Sequence, residues 1–153
     1  MVSGLLISGL VGIGGSSFEN SAGASTHSES VVKILTTANY GRILVTMTGR
    51  TLYTFARDVR NHSNCIARCA TTWPPLILRQ GLTPVGLGVS GLGSIVRSNG
   101  ERQVTFRGLP LYRFVSDRRS GQISGQGVSG FHVAQLAVPR TTSTTTTVKS
   151  YGY

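Results

Sequence analysis

Asp58, His62, Cys65 and Cys69 fall in one stretch, DVRNHSNCIARC, which gathers a carboxylate, an imidazole and two sulfurs. Such groups can hold a transition metal or run thiol–disulfide chemistry. Cys65 and Cys69 are the only cysteines, and their spacing of four puts them on one side of a helical turn. A short helix is expected near residues 64–72, capped by Ser63 or Asn64 and stopped by Pro74-Pro75. In an exported protein such a pair is expected as a disulfide, bracing a local turn rather than the fold. The competing reading is a metal set of His62, Cys65 and Cys69, which offers three ligands where zinc usually takes four. The C-x-x-C-H spacing of covalent haem attachment is absent, and no cofactor is expected.

The carboxylate of that stretch belongs to a larger pattern. Residues 49–58 read GRTLYTFARD and residues 108–117 read GLPLYRFVSD, so G-x-x-L-Y-x-F-x-x-D is written twice. The chain has only five acids against fifteen Lys and Arg, and Asp58 and Asp117 take the last position of both copies. Extended backward, VTMTGRTLYTF lies over VTFRGLPLYRF without a gap, and a matched pair of this length argues for a duplicated unit.

Each unit reads as strands. ILVTM and RQVTF carry β-branched and aromatic residues, Gly49 and Gly108 mark turns, and Asn99-Gly100 between extended runs is a hairpin signal. Asn39-Tyr40-Gly41 makes the corresponding turn of the first copy. Within Leu-Tyr-x-Phe the strand period puts Tyr53 with Phe55, and Tyr112 with Phe114, on one face, with Leu52 and Leu111 on the other. The rings are expected in the core, each phenol needing a partner. Asp58 and Asp117 stand where the strands end, where a carboxylate can accept loop N–H groups or pair with Arg57, Arg60, Arg118 or Arg119. Trp73, the single Trp, is expected beneath the loop of the first copy. The fold class is therefore all-β, mostly antiparallel: two three-strand meanders in one compact domain with one short helix. The repeats span about 31–76 and 90–138 within a domain of residues 25–140.

The ends differ in character. MVSGLLISGLVGIGG followed by Ala22-Gly23-Ala24 has the apolar run and small-residue site of a signal peptide over residues 1–24. The run is too short for a membrane-spanning helix, and no Cys follows it for lipid attachment. Residues 141–153, TTSTTTTVKSYGY, read as a polar, Thr-rich disordered tail.

Two G-x-G-x-x-G matches, GLGVSG at 86–91 and GQGVSG at 125–130, lack the strand–helix context of dinucleotide binding and read as flexible turns, the first after a loop containing Pro84. No G-x-S-x-G elbow is present. The net charge of +10 predicts attraction to polyanions, although the arginines are scattered rather than clustered.

The motif carriers resemble a known family, the secreted-repeat lipoproteins of unknown function with a Y-x-[FWY]-x-x-D motif. They are Tyr53, Phe55, Asp58, Ser63, Cys65, Cys69 and Trp73-Pro74-Pro75-Leu76 in the first copy. In the second they are Gln103-Val104-Thr105, Gly108, Pro110-Leu111-Tyr112, Phe114, Asp117 and Gly125-Gln126-Gly127. Phe131-His132 stands where the family often carries Trp. The resemblance implies a bacterial-type envelope protein, secreted or extracytoplasmic, with no established activity. Together these features favour an exported, non-catalytic module that binds an anionic envelope polymer or another envelope protein, with nucleic acid not expected as partner. The alternative is an extracytoplasmic redox or metal-handling protein centred on Asp58, His62, Cys65 and Cys69.

Overall fold

A computed structural model describes residues 27–136. The expected signal peptide of residues 1–24 and the Thr-rich tail of residues 141–153 lie outside the described residues.

The chain opens with β1 (His27–Thr37), turns at residues 38–40, and returns antiparallel as β2 (Gly41–Thr46), pairing Thr37 with Gly41 and Val32 with Thr46. Gly41, at φ 61, supplies the left-handed residue that this turn needs. The chain then reverses through Met47-Thr48-Gly49, bridges Val45 to Thr51, and continues as β3 (Tyr53–Phe55). The loop of the first repeat carries α1 (Arg68–Thr72) and ends at β4 (Ile77–Leu78). Next come β5 (Leu82–Leu87), β6 (Leu92–Val96), β7 (Arg102–Phe106) and β8 (Leu109–Pro110), and after a long loop β9 (Phe131–Val133). The β6–β7 and β7–β8 hairpins repeat the earlier pattern, so the all-β, mostly antiparallel, two-repeat architecture holds.

Corresponding hydrogen bonds show how the copies superpose. In the first, Leu44 N–H donates to the Ala134 carbonyl, Leu52 N–H to Leu44, and Ala134 N–H to Leu52. In the second, Val104 N–H donates to Leu76, Leu111 N–H to Val104, and Leu76 N–H to Leu111. Each ring of three bonds takes its third strand from the other copy, since Ala134 follows the Asp117 loop and Leu76 the Asp58 loop. Leu44 is therefore the counterpart of Val104, and the ungapped match of Val45-Thr46 to Val104-Thr105 is off by one. The cause is the hairpin: the first copy turns through three residues ending in Gly49, the second through Arg107-Gly108 alone, both at positive φ.

The copies meet back to back. Tyr53 N–H donates to the Tyr112 carbonyl and Tyr112 N–H to the Tyr53 carbonyl, both at 2.9 Å, so a local two-fold axis passes between these residues. The alternation expected in Leu-Tyr-x-Phe divides the interior. Leu52 and Leu111 join Val32, Leu44 and Val104 in an aliphatic cluster, while Tyr53, Phe55 and Tyr112 join Trp73 and Phe131 in an aromatic one. Phe114 packs against the aromatic cluster half-buried.

Two local expectations are corrected. The helix starts at Arg68 rather than 64, because Ala67 before it adopts φ 48 and no side chain caps it. The Ser63 hydroxyl instead meets the Tyr112 phenol, and the Asn64 side-chain amide donates to the Arg57 carbonyl while its backbone N–H goes to Asp58. Pro84 lies not in a loop but in β5, an edge strand running parallel to β1 from His27↔Leu82 to Lys33↔Leu87. An edge is where a residue without an N–H is tolerated.

Candidate functional site

The repeated tyrosines and acids exchange partners across the two-fold axis. Tyr53 donates its phenol proton to Asp117 Oδ2 at 2.6 Å, and Tyr112 donates to Asp58 Oδ2 at 2.7 Å. Each carboxylate uses its other oxygen on its own loop: Asp58 Oδ1 accepts Asn64 N–H at 2.7 Å, and Asp117 Oδ1 accepts Ser124 N–H at 2.8 Å. Both tyrosines are fully buried, and Asp117 is 1 % exposed. The one ion pair among the described residues is Arg79–Glu29, so the neighbouring arginines do not neutralise either acid. Arg50 instead donates to the Asp117 backbone carbonyl.

Burial drives the titration of the two phenols and of Asp58. Desolvation, reinforced by the bonded carboxylate, pushes both phenols far above their ordinary value, so both remain protonated donors. Desolvation also raises the Asp58 carboxyl, against the bonds from Asn64 N–H and Tyr112 that hold it down.

Four rings stack into a column across the same axis. Phe55 lies on Phe131 with centroids 4.3 Å apart, Phe131 on Trp73 at 3.8 Å, and Trp73 on Phe114 at 4.4 Å. The pairing is again crossed, each motif Phe covering an aromatic ring from the other copy. Tyr53 meets Trp73 edge-on at 5.2 Å, and Tyr112 meets Phe131 edge-on at 5.3 Å. Phe131 thus serves the second copy as Trp73 serves the first. Gly125 closes the column: a Cβ there would stand 2.6 Å from Trp73 and 3.0 Å from Tyr53.

The loop of the first copy adds groups that have no counterpart in the second. Arg97 donates to Ser63 Oγ at 3.0 Å and to the Cys65 carbonyl at 2.7 Å, and also to Gln103 Oε1. Ser63 Oγ stands 2.7 Å from the Tyr112 phenol, so a line of donors runs from Arg97 through Ser63 and Tyr112 to Asp58. At the corresponding place in the second copy the Tyr53 oxygen accepts, among the described residues, only Gly125 N–H, at 3.3 Å. This line ties the loop of the first copy to the Tyr112–Asp58 pair.

Cys65 and Cys69 form the expected disulfide, with Cα atoms 5.1 Å apart. With both sulfurs joined, neither is a thiolate ligand, and the proposed set with His62 keeps one of its three donors. Among the described residues no three His, Cys, Asp or Glu side chains gather as a metal site. Exposed His62 borders a cavity of about 240 Å³ shared with Asn64, Ile66, Ile95 and Arg97.

The motif residues Tyr53, Phe55, Asp58, Trp73, Tyr112, Phe114 and Asp117 thus converge on one two-fold interior. Gln103, a motif carrier of the second copy, is buried and donates to the Leu111 carbonyl, whereas Arg97 was not singled out by sequence reasoning. Gln103 carries one signal, a polar residue inside a β-branched run. Arg97 carries none among so many arginines.

Among the described residues no helix is long and apolar enough to cross a membrane. Comparison with curated proteins and with solved structures returns no match. A family model described as a secreted repeat of unknown function matches the chain twice, over residues 35–77 and 93–133, the two repeats. The chain accordingly belongs to this family of secreted repeats, and its place is outside the cytoplasm.

Proposed function

We propose that this protein is a non-catalytic module of the cell envelope that binds an acidic partner, an anionic polymer or another envelope protein, through arginines on its loops. The reading takes residues 1–24 as its export signal, residues 25–140 as the binding domain and residues 141–153 as a tail. The observation behind it is where the acids go. Asp58 and Asp117 are spent inside, Glu29 pairs with Arg79, and Glu101 accepts from Asn99. The outer surface is left with an excess of arginine, including exposed Arg57, Arg60, Arg68, Arg107, Arg113, Arg118 and Arg119. A surface charged this one-sidedly attracts polyanions over several ångströms.

The test is retention on immobilised heparin and on an anionic wall polymer across a salt gradient. Retention that weakens steadily with salt supports the reading; absent or salt-independent retention defeats it. The redox or metal-handling alternative has only the disulfide in its favour, since both oxygens of Asp58 are engaged internally.

A further inference from the structure

We infer that Arg60 and Arg107 form a subsite for one oxyanion, a sulfate or phosphate group carried by an acidic extracellular glycan. The inference rests on the polyanion reading above and gives it an address.

Arg60 follows Asp58 in the first repeat, and Arg107 sits at the tip of the β7–β8 hairpin of the second. With Asn61, Gly93, Ser94 and Thr105 they line a surface concavity of about 320 Å³ that no carboxylate of the described residues lines. Both arginines are exposed and stand outside the one ion pair among the described residues. Ser94 Oγ already accepts from Arg102, so its own proton is free to point outward. Among the described residues the lining therefore offers guanidinium and hydroxyl donors and no competing anion, which is what an oxyanion requires.

The backbone holds this arrangement in an uncommon conformation. Arg107 has φ 51 and Asn61 has φ 61, a region that side chains rarely occupy. Asn61 N–H donates to the Gly108 carbonyl at 2.7 Å, clasping loop to hairpin. The Arg107 guanidinium rests over the Phe106 ring at 4.9 Å. Arg60 lies against the bare Cα of Gly108, its Nε and Cζ 3.4 Å from where a Cβ would stand.

The duplication supplies an internal control. In the other copy the same clasp runs from Gly121 N–H to the Gly49 carbonyl at 3.0 Å. There Ser120 packs on Gly49 where Arg60 packs on Gly108, and the hairpin tip carries Met47-Thr48. The left-handed position is taken by Gly121, at φ 69, where the arginine side has Asn61. The clasp therefore forms without either arginine. Folding accounts for the glycines and leaves the arginine pair to be explained by a ligand.

The experiment has two arms. Inorganic sulfate and, separately, inorganic phosphate are titrated into the wild-type protein while amide shifts are followed. Saturable shifts at Gly91, Gly93 and Gly108, absent at Gly49 and Gly121, are expected, and whichever anion saturates first names the group. In the second arm, heparin affinity is measured against salt for Arg60→Ser/Arg107→Asn and for a charge-matched control, Arg118→Ser/Arg119→Ser. The first variant is expected to lower the slope of log K against log salt by roughly one to two and to lose the anion-induced shifts. The control keeps those shifts. Equal slopes in the two variants with no localised shifts overturn the subsite while leaving general polyanion binding intact. Wild-type affinity indifferent to salt defeats that general reading instead. If the first variant does not fold, the anion titration of the wild-type protein decides alone.

Discussion

Tyr53 of the first repeat bonds Asp117 of the second at 2.6 Å, and Tyr112 of the second bonds Asp58 of the first at 2.7 Å. The motif that looks like a self-contained unit in each copy is completed only by the other copy. Its Asp organises the loop of its own repeat with one oxygen and receives the partner's phenol with the other.

Removing one phenol hydroxyl keeps the ring packing and strips a donor from a buried carboxylate. Tyr53→Phe and Tyr112→Phe are each expected to cost about 1–3 kcal/mol, the penalty for leaving a buried acceptor short of a partner. Urea unfolding with an unchanged m-value measures it. A loss indistinguishable from zero at both sites means that the hydroxyls are idle.

Asp58 gives the protein a defined pH response. Burial raises its carboxyl above the ordinary 3.8, so the folded state holds that proton more tightly than the unfolded chain does. Its contribution is thus complete below 3.8 and is lost as pH climbs through the raised folded value. Acidification from neutral toward 3.8 should stabilise the wild type relative to Asp58→Asn. Melting temperatures of both proteins across that window check the sign, and a gap that moves the other way refutes it.

Gly125 is required for space rather than for backbone freedom, since a Cβ would press on Trp73 at 2.6 Å. Gly125→Ala is expected to cost about 1–3 kcal/mol by overpacking. Trp73, as the single Trp, should report the disturbed stack by a shifted emission maximum. Full stability with unchanged fluorescence rules out the tight contact.

The disulfide spans a sequence separation of only 4, so it limits little of the unfolded chain. Cys65→Ser/Cys69→Ser is expected to cost about 2 kcal/mol on the chain-entropy argument. Faster hydrogen exchange should be confined to the loop leading to Trp73, sparing β7. Exchange that rises across both repeats contradicts a local role.

Much of this architecture is legible in the amino-acid sequence because strand alternation leaves a plain record. Leu-Tyr-x-Phe assigns Leu52 and Tyr53 to opposite faces, and they enter the two different clusters. Asn99-Gly100 gives the β6–β7 turn, with Gly100 at φ 83. The crossing of the Tyr–Asp pairs is not legible, because either acid satisfies the same local chemistry and only the two-fold packing selects between them. Parallel β5 is hidden by Pro84 and Gly86, residues with poor strand propensity that an edge position tolerates. The helix start is hidden for a related reason: Ser63 and Asn64 have the composition of caps, but the Ser63 hydroxyl meets the Tyr112 phenol and the Asn64 amide donates to the Arg57 carbonyl.

Double-mutant cycles over all four Tyr–Asp combinations test the crossed arrangement most directly, with Tyr→Phe and Asp→Asn as the changes. Coupling of about 1 kcal/mol or more is predicted for Tyr53 with Asp117 and for Tyr112 with Asp58, and close to none for Tyr53 with Asp58 or Tyr112 with Asp117. Coupling concentrated in the two same-repeat pairs would contradict it.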